Sequence, residues 1–288
     1  MSWVSISRDD CTGCGLCVER CVRCFSDRGD EITAQADETN CNLCGHCVAL
    51  CPTMAITHRK MDMDNFLEIG KDLNFDTDMF IQFVRKRRSH RSFKEKPIPR
   101  AVLDKLVDVC RYAPTGSNVQ NVELLIIQDR DKIKKLSDLT MASFQKAFGI
   151  IERRVMALRA EGKEIPGDLQ YSYDTLMARD QMQEAREAGL DTVFHNAPAV
   201  LIFHSPAATS APKDNGVIAS TTVTLTAMTM GLESTYIGVF EAASTYRPII
   251  KELGLPAGHK VFSVLIMGYP RLKYLRSVDR KPIKVRWE

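Results

Sequence analysis

Eight cysteines of this chain form two copies of one spacing pattern, and this pattern restricts the fold more than any other feature. CTGCGLCVERC at 11–21 and CNLCGHCVALC at 41–51 both separate their cysteines by two, two and three residues. Nine of the ten cysteines lie before residue 52. Because so short a unit buries little apolar surface, we expect it to depend on cross-links.

The surroundings of the repeat favour metal over disulfides. The opening MSWVSISRDD has no apolar segment typical of a signal peptide, and runs such as APAVLIF at 197–203 are too short to cross a bilayer. We therefore predict a cytoplasmic protein without membrane contact. In a reducing compartment, clustered cysteines indicate a metal site.

Zinc and iron–sulfur clusters are the two metal interpretations. A zinc site usually takes two separated pairs of ligands. Here three cysteines at successive gaps of two surround one object, and Pro52 follows the last cysteine of the second copy. This run resembles bacterial ferredoxins with two 4Fe–4S clusters, in which the fourth cysteine ligates the other cluster.

The ferredoxin resemblance covers about residues 4–58 and implies two crossed sets of ligands. One set is Cys11, Cys14, Cys17 and Cys51; the other is Cys21, Cys41, Cys44 and Cys47. Val22 stands where the pattern has proline, so two roles remain open for Cys24: a substitute for Cys21, or a buried neighbour of the cluster, which we prefer. We interpret His46 as a partly exposed residue rather than one that tunes the cluster.

Charge and composition divide the chain. Residues 1–60 hold six Lys/Arg and eight Asp/Glu, whereas the remainder holds 33 and 28. This asymmetry is too small to indicate nucleic-acid or membrane binding. We predict a ferredoxin-like domain at 1–60, a linker at 61–77 and an α/β domain at 78–288.

Hydrophobic periodicity predicts the elements of the larger domain. Residues 99–113 form an amphipathic pattern, and 129–190 are rich in helix formers. The predicted strands are 122–128, 199–205, 234–240 and 261–268. Residues 218–232 fit both periods, and we predict a helix because Gly231 stands where a helix would end.

Two polar segments carry the remaining chemistry. RKRRSHRSF at 85–93 ends in interleaved arginines and serines, which suit a phosphate monoester better than a plain charged helix face. APTGSNVQN at 113–121 is a turn with two amide side chains, which match the alternating carbonyl and N–H groups of a flavin edge. Each segment alone is weak support.

Together these segments resemble the nitroreductase family, which binds FMN. The family pattern R-R-S-x-R-x-F is met by Arg87, Arg88, Ser89, Arg91 and Phe93. The pattern P-S-x-x-N-x-Q-P-W is met at Pro114, Asn118 and Gln120, and departs at Thr115, Asn121 and Val122. GLESTYIG at 231–238 and MGYPRLKYLRSVDRKP near the C-terminus resemble two further family stretches.

The resemblance, over about residues 78–288, implies an α+β fold with a mixed sheet flanked by helices. It also implies a homodimer with FMN at the subunit interface, in which 218–232 is a buried interface helix. The implied FMN contacts are Arg87, Arg88, Ser89, Arg91, Pro114, Thr115, Asn118, Gln120, Ile237, Gly238 and Arg280. Of these, Ile237 and Gly238 would act through backbone N–H groups.

Clusters and flavin in one chain predict an electron path. We expect a low-potential donor such as reduced ferredoxin to feed two 4Fe–4S clusters, and FMN to reduce a small electron-poor acceptor such as a nitroaromatic or a quinone. The alternatives are a non-catalytic electron relay and a flavin reductase driven by NAD(P)H. An enzyme needs a lid over the flavin, which Phe144, Phe148, Tyr171 and Tyr173 would line unless they only pack surface helices.

Overall fold

A computed structural model describes residues 1–29, 31–70, 75–177 and 179–288, without the side chains of 176, 177, 179 and 180. Within that part of the chain, no helix is both long enough and apolar enough to span a membrane. The contacts divide the chain into two units. The first is Met1–Asp76 with Ser117–Val119, and the second is Thr77–Gly116 with Gln120–Glu288.

The first unit contains short strands and two short helices. They are β1 (Val4–Ile6), α1 (Leu16–Arg20), β2 (Phe25–Asp27), β3 (Ile32–Ala34), α2 (His46–Leu50) and β4 (Ile56–His58). β1 pairs antiparallel with β4, and β2 pairs antiparallel with β3. The core contains Val4, Phe25, Val48 and Ile56, and Phe66 of the predicted linker packs against it.

The second unit contains eight helices and four strands within the described ranges. They are α3 (Thr77–Lys86), α4 (Arg100–Cys110), β5 (Glu123–Ile127), α5 (Arg130–Ala160), α6 (Gly167–Met177), α7 (Arg179–Glu187), β6 (Ala199–Pro206), α8 (Pro212–Thr229), β7 (Glu233–Tyr236), α9 (Gly238–Ala243), α10 (Arg247–Leu253) and β8 (His259–Gly268). The α+β fold class is therefore confirmed. The third predicted strand is shorter than expected, because the chain turns into α9 at Gly238.

The sheet has the order β5–β6–β8–β7, and each of its three pairings is antiparallel. The sequence led us to expect a mixed sheet, so this detail is corrected for the described residues. β6 and β7 do run in the same direction, since both are antiparallel to β8. They are not neighbours, because β8 lies between them.

Both faces of the sheet are covered, which explains why seven of the eight residues of β6 are buried. Val200 and Ile202 point into a core shared with α5, α9 and α10. Leu201 and Phe203 point into the opposite core, shared with α4 and α8. Alternate residues of a strand face opposite sides, so a continuous apolar run is typical of a strand between two helical layers.

The ambiguous segment is helix α8, as predicted, and its end has a defined geometry. Gly231 has φ of +74°. Its N–H donates to the carbonyl of Met228, and the N–H of Leu232 donates to the carbonyl of Ala227. This is the hydrogen-bond pattern of a Schellman motif, in which glycine tolerates the left-handed conformation.

Candidate functional site

The eight cysteines of the repeat surround two separate cavities of the first unit. Four of them line a cavity of about 260 Å³: Cys21, Cys41, Cys44 and Cys47. The other four line a smaller cavity of about 20 Å³: Cys11, Cys14, Cys17 and Cys51. Each cavity thus receives three cysteines from one copy of the repeat and the fourth from the other copy.

The two cysteine loops share one backbone conformation. Gly15 and Gly45 occupy equivalent positions, with φ of +75° and +68°, and each directly precedes a helix. Two residues earlier, Gly13 has φ of +66° and Leu43 has φ of +56°. The left-handed conformation is strained for leucine. The loop geometry is therefore maintained in the second copy without glycine at that position.

Cys24 lies beside the larger cavity but faces a different partner. It is 5% exposed, and its Sγ donates weakly to the backbone carbonyl of Asn40 at 3.5 Å. Burial, together with the neighbouring Cys21 thiol, raises the pKa of Cys24 to about 12. These features fit a small buried neighbour that stays protonated, in agreement with the preferred interpretation of the sequence.

The chemistry of the donors fits iron–sulfur clusters. None of the ten cysteines forms a disulfide. Burial, and then the charges of Cys44, Cys41 and Cys21, raise the pKa of Cys47 to about 11. Four thiolates at this spacing repel one another, so they need a cation among them. A cluster of several irons supplies that charge and binds four thiolates.

His58 is a residue of this site that the sequence did not indicate. It is 1% exposed at the end of β4, and its Nε2 lies 3.5 Å from Sγ of Cys41. His46, by contrast, is exposed, and its Nδ1 lies 2.6 Å from a guanidinium nitrogen of Arg20. His58 lies in β4, which pairs with β1, and no local sequence motif indicates its contact with Cys41.

The first family motif lies against the end of β8 and the residues that follow. Phe93 forms an isolated bridge with Pro270. Arg271 reaches back to Ser92, since its N–H donates to the carbonyl at 3.0 Å and its Nε donates to Oγ at 2.9 Å. The guanidinium of Arg88 lies 6.0 Å from the ring centre of Tyr274. Arg87 and Arg88 are half-buried, whereas Ser89 and Arg91 are exposed.

A buried base of this motif, His90, lies beside a buried acid of β7, Glu233. Nε2 of His90 lies 3.6 Å from Oε2 of Glu233, which has no hydrogen-bond partner among the residues that the structure describes. Burial raises the pKa of Glu233, against the opposing charges of Lys86 and Arg87. Burial also lowers the pKa of His90, with a further contribution from Arg88. Both shifts favour the neutral forms.

The second motif is a strained loop. Ser117, Asn118 and Gln120 have φ of +54°, +56° and +47°. The N–H of Gln120 donates to Oγ1 of Thr115 at 3.1 Å, which closes the turn. Thr115 and Gln120 also line one cavity of about 370 Å³, and Pro114 is exposed nearby in sequence. Non-glycine residues in this conformation often mark binding loops.

Asn215 supports this loop and was missed by the sequence analysis. It is 1% exposed in the first turn of α8, and its Oδ1 accepts from the N–H of Gly116 at 2.9 Å. Its Nδ2 donates to the carbonyl of Ser210 at 2.7 Å. A side chain on Gly116 would come within 2.6 Å of Oγ of Ser210, so a larger residue here would displace that side chain.

Two implied flavin contacts have hydrogen-bond partners within the chain, and both stay predictions. The amide nitrogen of Asn118 donates to the carbonyls of Asn42 and Leu43 within the first unit. The N–H of Ile237 donates to the carbonyl of Val264 at 2.9 Å because Ile237 directly follows β7, which pairs with β8. Gly238 begins α9, where a helix leaves its first N–H groups without an internal partner.

The remaining predicted residues have simpler environments. Arg280 is exposed, and it forms no ion pair with any residue that the structure describes. Phe148 and Tyr173 stack with ring centres 5.6 Å apart and are buried, which favours packing over a lid. Tyr171 is exposed and Phe144 packs against the core that contains Val200.

Comparison with known proteins identifies both parts of the chain. The model of the nitroreductase family matches residues 84–269, and that of the 4Fe-4S binding domain matches residues 34–57. A 4-nitrobenzoate reductase of Pseudomonas putida is 29% identical over 130 residues, which are 44% of this chain and 57% of that protein. A ferredoxin of Methanothermococcus thermolithotrophicus is 42% identical over 57 residues, which are 19% of this chain and 93% of the ferredoxin.

The fold agrees with these matches. The crystal structure of a nitroreductase with bound FMN from Bacteroides fragilis superimposes with a TM-score of 0.52 at 18% identity, over 72% of this chain and 98% of that one. The resemblance inferred from the sequence motifs is thus confirmed. With a family model that covers well over half of its length, the chain is an oxidoreductase that belongs to the nitroreductase family.

Proposed function

We propose that this protein is an FMN-dependent oxidoreductase that receives electrons through two 4Fe–4S clusters and reduces a small electron-poor molecule. A nitroaromatic or a quinone is the substrate class that we favour. The observation that carries the proposal is the crossed arrangement of cysteines around two cavities. Two clusters are thereby supported although the matched domain model covers only the second copy of the repeat.

The FMN site is supported by the family and by the positive charge of the first motif. The chain resembles a nitroreductase whose crystal structure contains FMN. Arg87 and Arg88 supply guanidinium groups for the phosphate, with Ser89, Arg91 and Arg280 as further donors. Thr115, Gln120 and the N–H of Gly238 supply polar contacts for the ring, next to Pro114 in the same turn.

When bound, iron–sulfur clusters carry one electron each, and FMN accepts two and delivers them singly or as a hydride. The protein's own task is to hold and orient these groups and to exclude water. Burial shifts the pKa of both His90 and Glu233 towards the neutral form, which limits the negative charge beside the arginines of the first motif. The positive charge of those arginines would stabilise a reduced flavin.

The donor is tested by anaerobic stopped-flow reduction of the purified protein. We expect reduced ferredoxin, or a similar low-potential donor, to reduce the flavin rapidly through the clusters. NADPH should reduce it slowly or not at all. Rapid reduction by NADPH together with no reaction with reduced ferredoxin would overturn the proposed donor and favour the NAD(P)H-driven flavin reductase.

The acceptor is tested by offering a panel of nitroaromatics and quinones to the fully reduced protein. Catalytic turnover of at least one class supports an enzyme, whereas reoxidation without turnover of any compound supports an electron relay. We also propose a homodimer, which sedimentation at several protein concentrations tests. Iron, sulfide and flavin counts on the same preparation reveal whether the cofactors themselves are present.

A further inference from the structure

Three metal-binding side chains that the proposed electron path does not use meet at one place in the sheet. Glu123 is the first residue of β5, His204 lies in β6, and His259 is the first residue of β8. Each offers one donor atom, and these three atoms all lie within 4.8 Å of one another. Their separation in sequence is large, so their meeting depends on strand pairing.

The register of the sheet places the three side chains on one face. Glu123 is directly opposite His204, and cross-strand partners project to the same side. His204 is opposite Val261, which lies two residues from His259, so the two histidines are diagonal neighbours. A register shift between Phe203 and His204 produces this alignment. Such irregularities commonly redirect a side chain beside a functional site.

The distances are close to those of a metal centre. The Nδ1 atoms of His204 and His259 lie 3.0 Å apart. Oε2 of Glu123 lies 4.0 Å from Nδ1 of His204, and Oε1 lies 3.9 Å from Nε2 of His259. Ligands about 2.0–2.1 Å from a tetrahedral zinc ion are about 3.3–3.4 Å apart. Only one nitrogen of His259 would bind the ion, and side-chain rotations that bring one donor atom of each residue from within 4.8 Å to this spacing complete the geometry.

Burial gives the cluster the form of an open metal site. The side chains of His204 and His259 are 6% and 9% exposed, whereas that of Glu123 is 54% exposed. The two imidazoles are the buried side of the site, and the carboxylate lies on its solvent side. Three protein ligands leave a fourth position for water, as in zinc centres that keep an open position.

We propose that Glu123, His204 and His259 bind one divalent transition-metal ion, with Zn²⁺ as the preferred occupant and water as the remaining ligand. Imidazole nitrogen and carboxylate oxygen are donors that suit zinc. The three residues include no thiolate, which is the donor that soft metal ions prefer. The ion joins three neighbouring strands at the start of β5. This site is independent of the proposed flavin and cluster chemistry.

The experiment uses anaerobically purified protein with its iron and flavin in place. After treatment with a mild chelator, Zn²⁺ is titrated calorimetrically, and the zinc absorption edge is measured on the one-equivalent complex. We expect one ion per chain, with nitrogen and oxygen scatterers at about 2.0–2.1 Å and no sulfur at about 2.3 Å. A sulfur scatterer at about 2.3 Å would show that cysteines bind the zinc instead.

Glu123→Gln is the main variant because its exposed side chain is not needed for folding, and His259→Asn is the second. We expect both to weaken zinc binding at least about tenfold. Glu184→Gln, an exposed carboxylate on α7, is the matched control and should bind as the unaltered protein does. Sulfur ligation, no stoichiometric zinc, or an affinity in Glu123→Gln and His259→Asn equal to that of the unaltered protein would each overturn the proposal and leave a histidine–histidine hydrogen bond.

Discussion

His58 directs a ring nitrogen at the sulfur of Cys41, with Nε2 and Sγ 3.5 Å apart. The backbone N–H of Lys60 donates to Nδ1 of the same ring at 3.2 Å, so Nδ1 carries no proton. Burial lowers the pKa of His58, which favours the neutral ring. A neutral ring with an unprotonated Nδ1 has its proton on Nε2, and His58 therefore donates to Cys41.

This hydrogen bond predicts a shift in cluster potential when it is removed. A donor to a ligand sulfur stabilises the more negative, reduced cluster. For His58→Phe we expect one of the two cluster potentials to fall by about 20–60 mV, the equivalent of a typical hydrogen bond in a one-electron step. Redox titration followed by electron paramagnetic resonance measures it.

The control for this prediction is His46→Phe, since His46 contacts Arg20 and is exposed. We expect it to leave both potentials unchanged. Equal shifts in the two variants would show that the effect arises from ring substitution near the loop rather than from the hydrogen bond.

The roles of Cys21 and Cys24 are separable by iron content. Cys21→Ala should lose up to half of the approximately eight irons that two 4Fe–4S clusters contain, because a ligand is removed. Cys24→Ala should retain them, because this thiol faces Asn40 and stays protonated. Iron and sulfide analysis of both variants, purified side by side without oxygen, checks the prediction. The reverse pattern would make Cys24 the ligand.

The left-handed conformation of Gly13 predicts that any side chain at this position lowers the free energy of unfolding. The added methyl group of Gly13→Ala meets no atom of the described residues within 4 Å, so the loss arises from φ of +66° alone. We expect the free energy of unfolding to fall by about 1–2 kcal/mol. Gly70→Ala, in the same unit, is the matched control, because its methyl group is equally free and φ is not in the left-handed region. The denaturant concentration at which each variant loses half of its clusters measures the difference. Equal midpoints would show that the left-handed conformation of Gly13 does not limit stability.

Glu233 predicts a dependence of stability on pH. Its pKa is raised in the folded state, so its contribution is fully present below the unfolded pKa and is lost as pH rises through the folded pKa. Glu233→Gln removes this loss. Relative to the unaltered protein, the variant should therefore gain stability as the pH rises from about 5 to 8. The gain is about 1.4 kcal/mol for each pH unit by which the folded pKa exceeds the unfolded pKa.

Urea unfolding at both pH values measures this gain, with Glu184→Gln as an exposed control. His90 acts in the opposite sense, since its lowered pKa favours stability above its unfolded pKa. If the free energy of unfolding depends on pH in the same way in Glu233→Gln and in the unaltered protein, burial does not raise the pKa of Glu233.

Arg88 predicts a loss of flavin affinity. Removing one charge-assisted contact to a phosphate costs about 1.5–3 kcal/mol, so Arg88→Gln should raise the Kd for FMN about 10- to 100-fold. Arg100→Gln removes an exposed arginine that pairs with Asp104, and it should leave the Kd unchanged. Fluorescence titration of flavin-free protein distinguishes the two, and equal affinities would exclude Arg88 from the phosphate site.

The sequence by itself determined the local elements and the types of ligand. The cysteine spacing predicted a 4Fe–4S binding domain, the apolar run at 199–205 predicted β6, and Gly231 predicted the end of α8. Each of these depends on neighbours within a few residues, so chain geometry suffices to predict it. The family motifs were also continuous in sequence, which is why they led to the correct family.

The tertiary structure decided which distant side chains meet. His58 reaches Cys41 across 17 residues, and Asn215 reaches Gly116 across 99 residues. Glu123, His204 and His259 converge through a register that includes an irregularity, which no periodic pattern encodes. The tertiary structure also gives the amide of Asn118 and the N–H of Ile237 partners within the chain, which the sequence did not indicate.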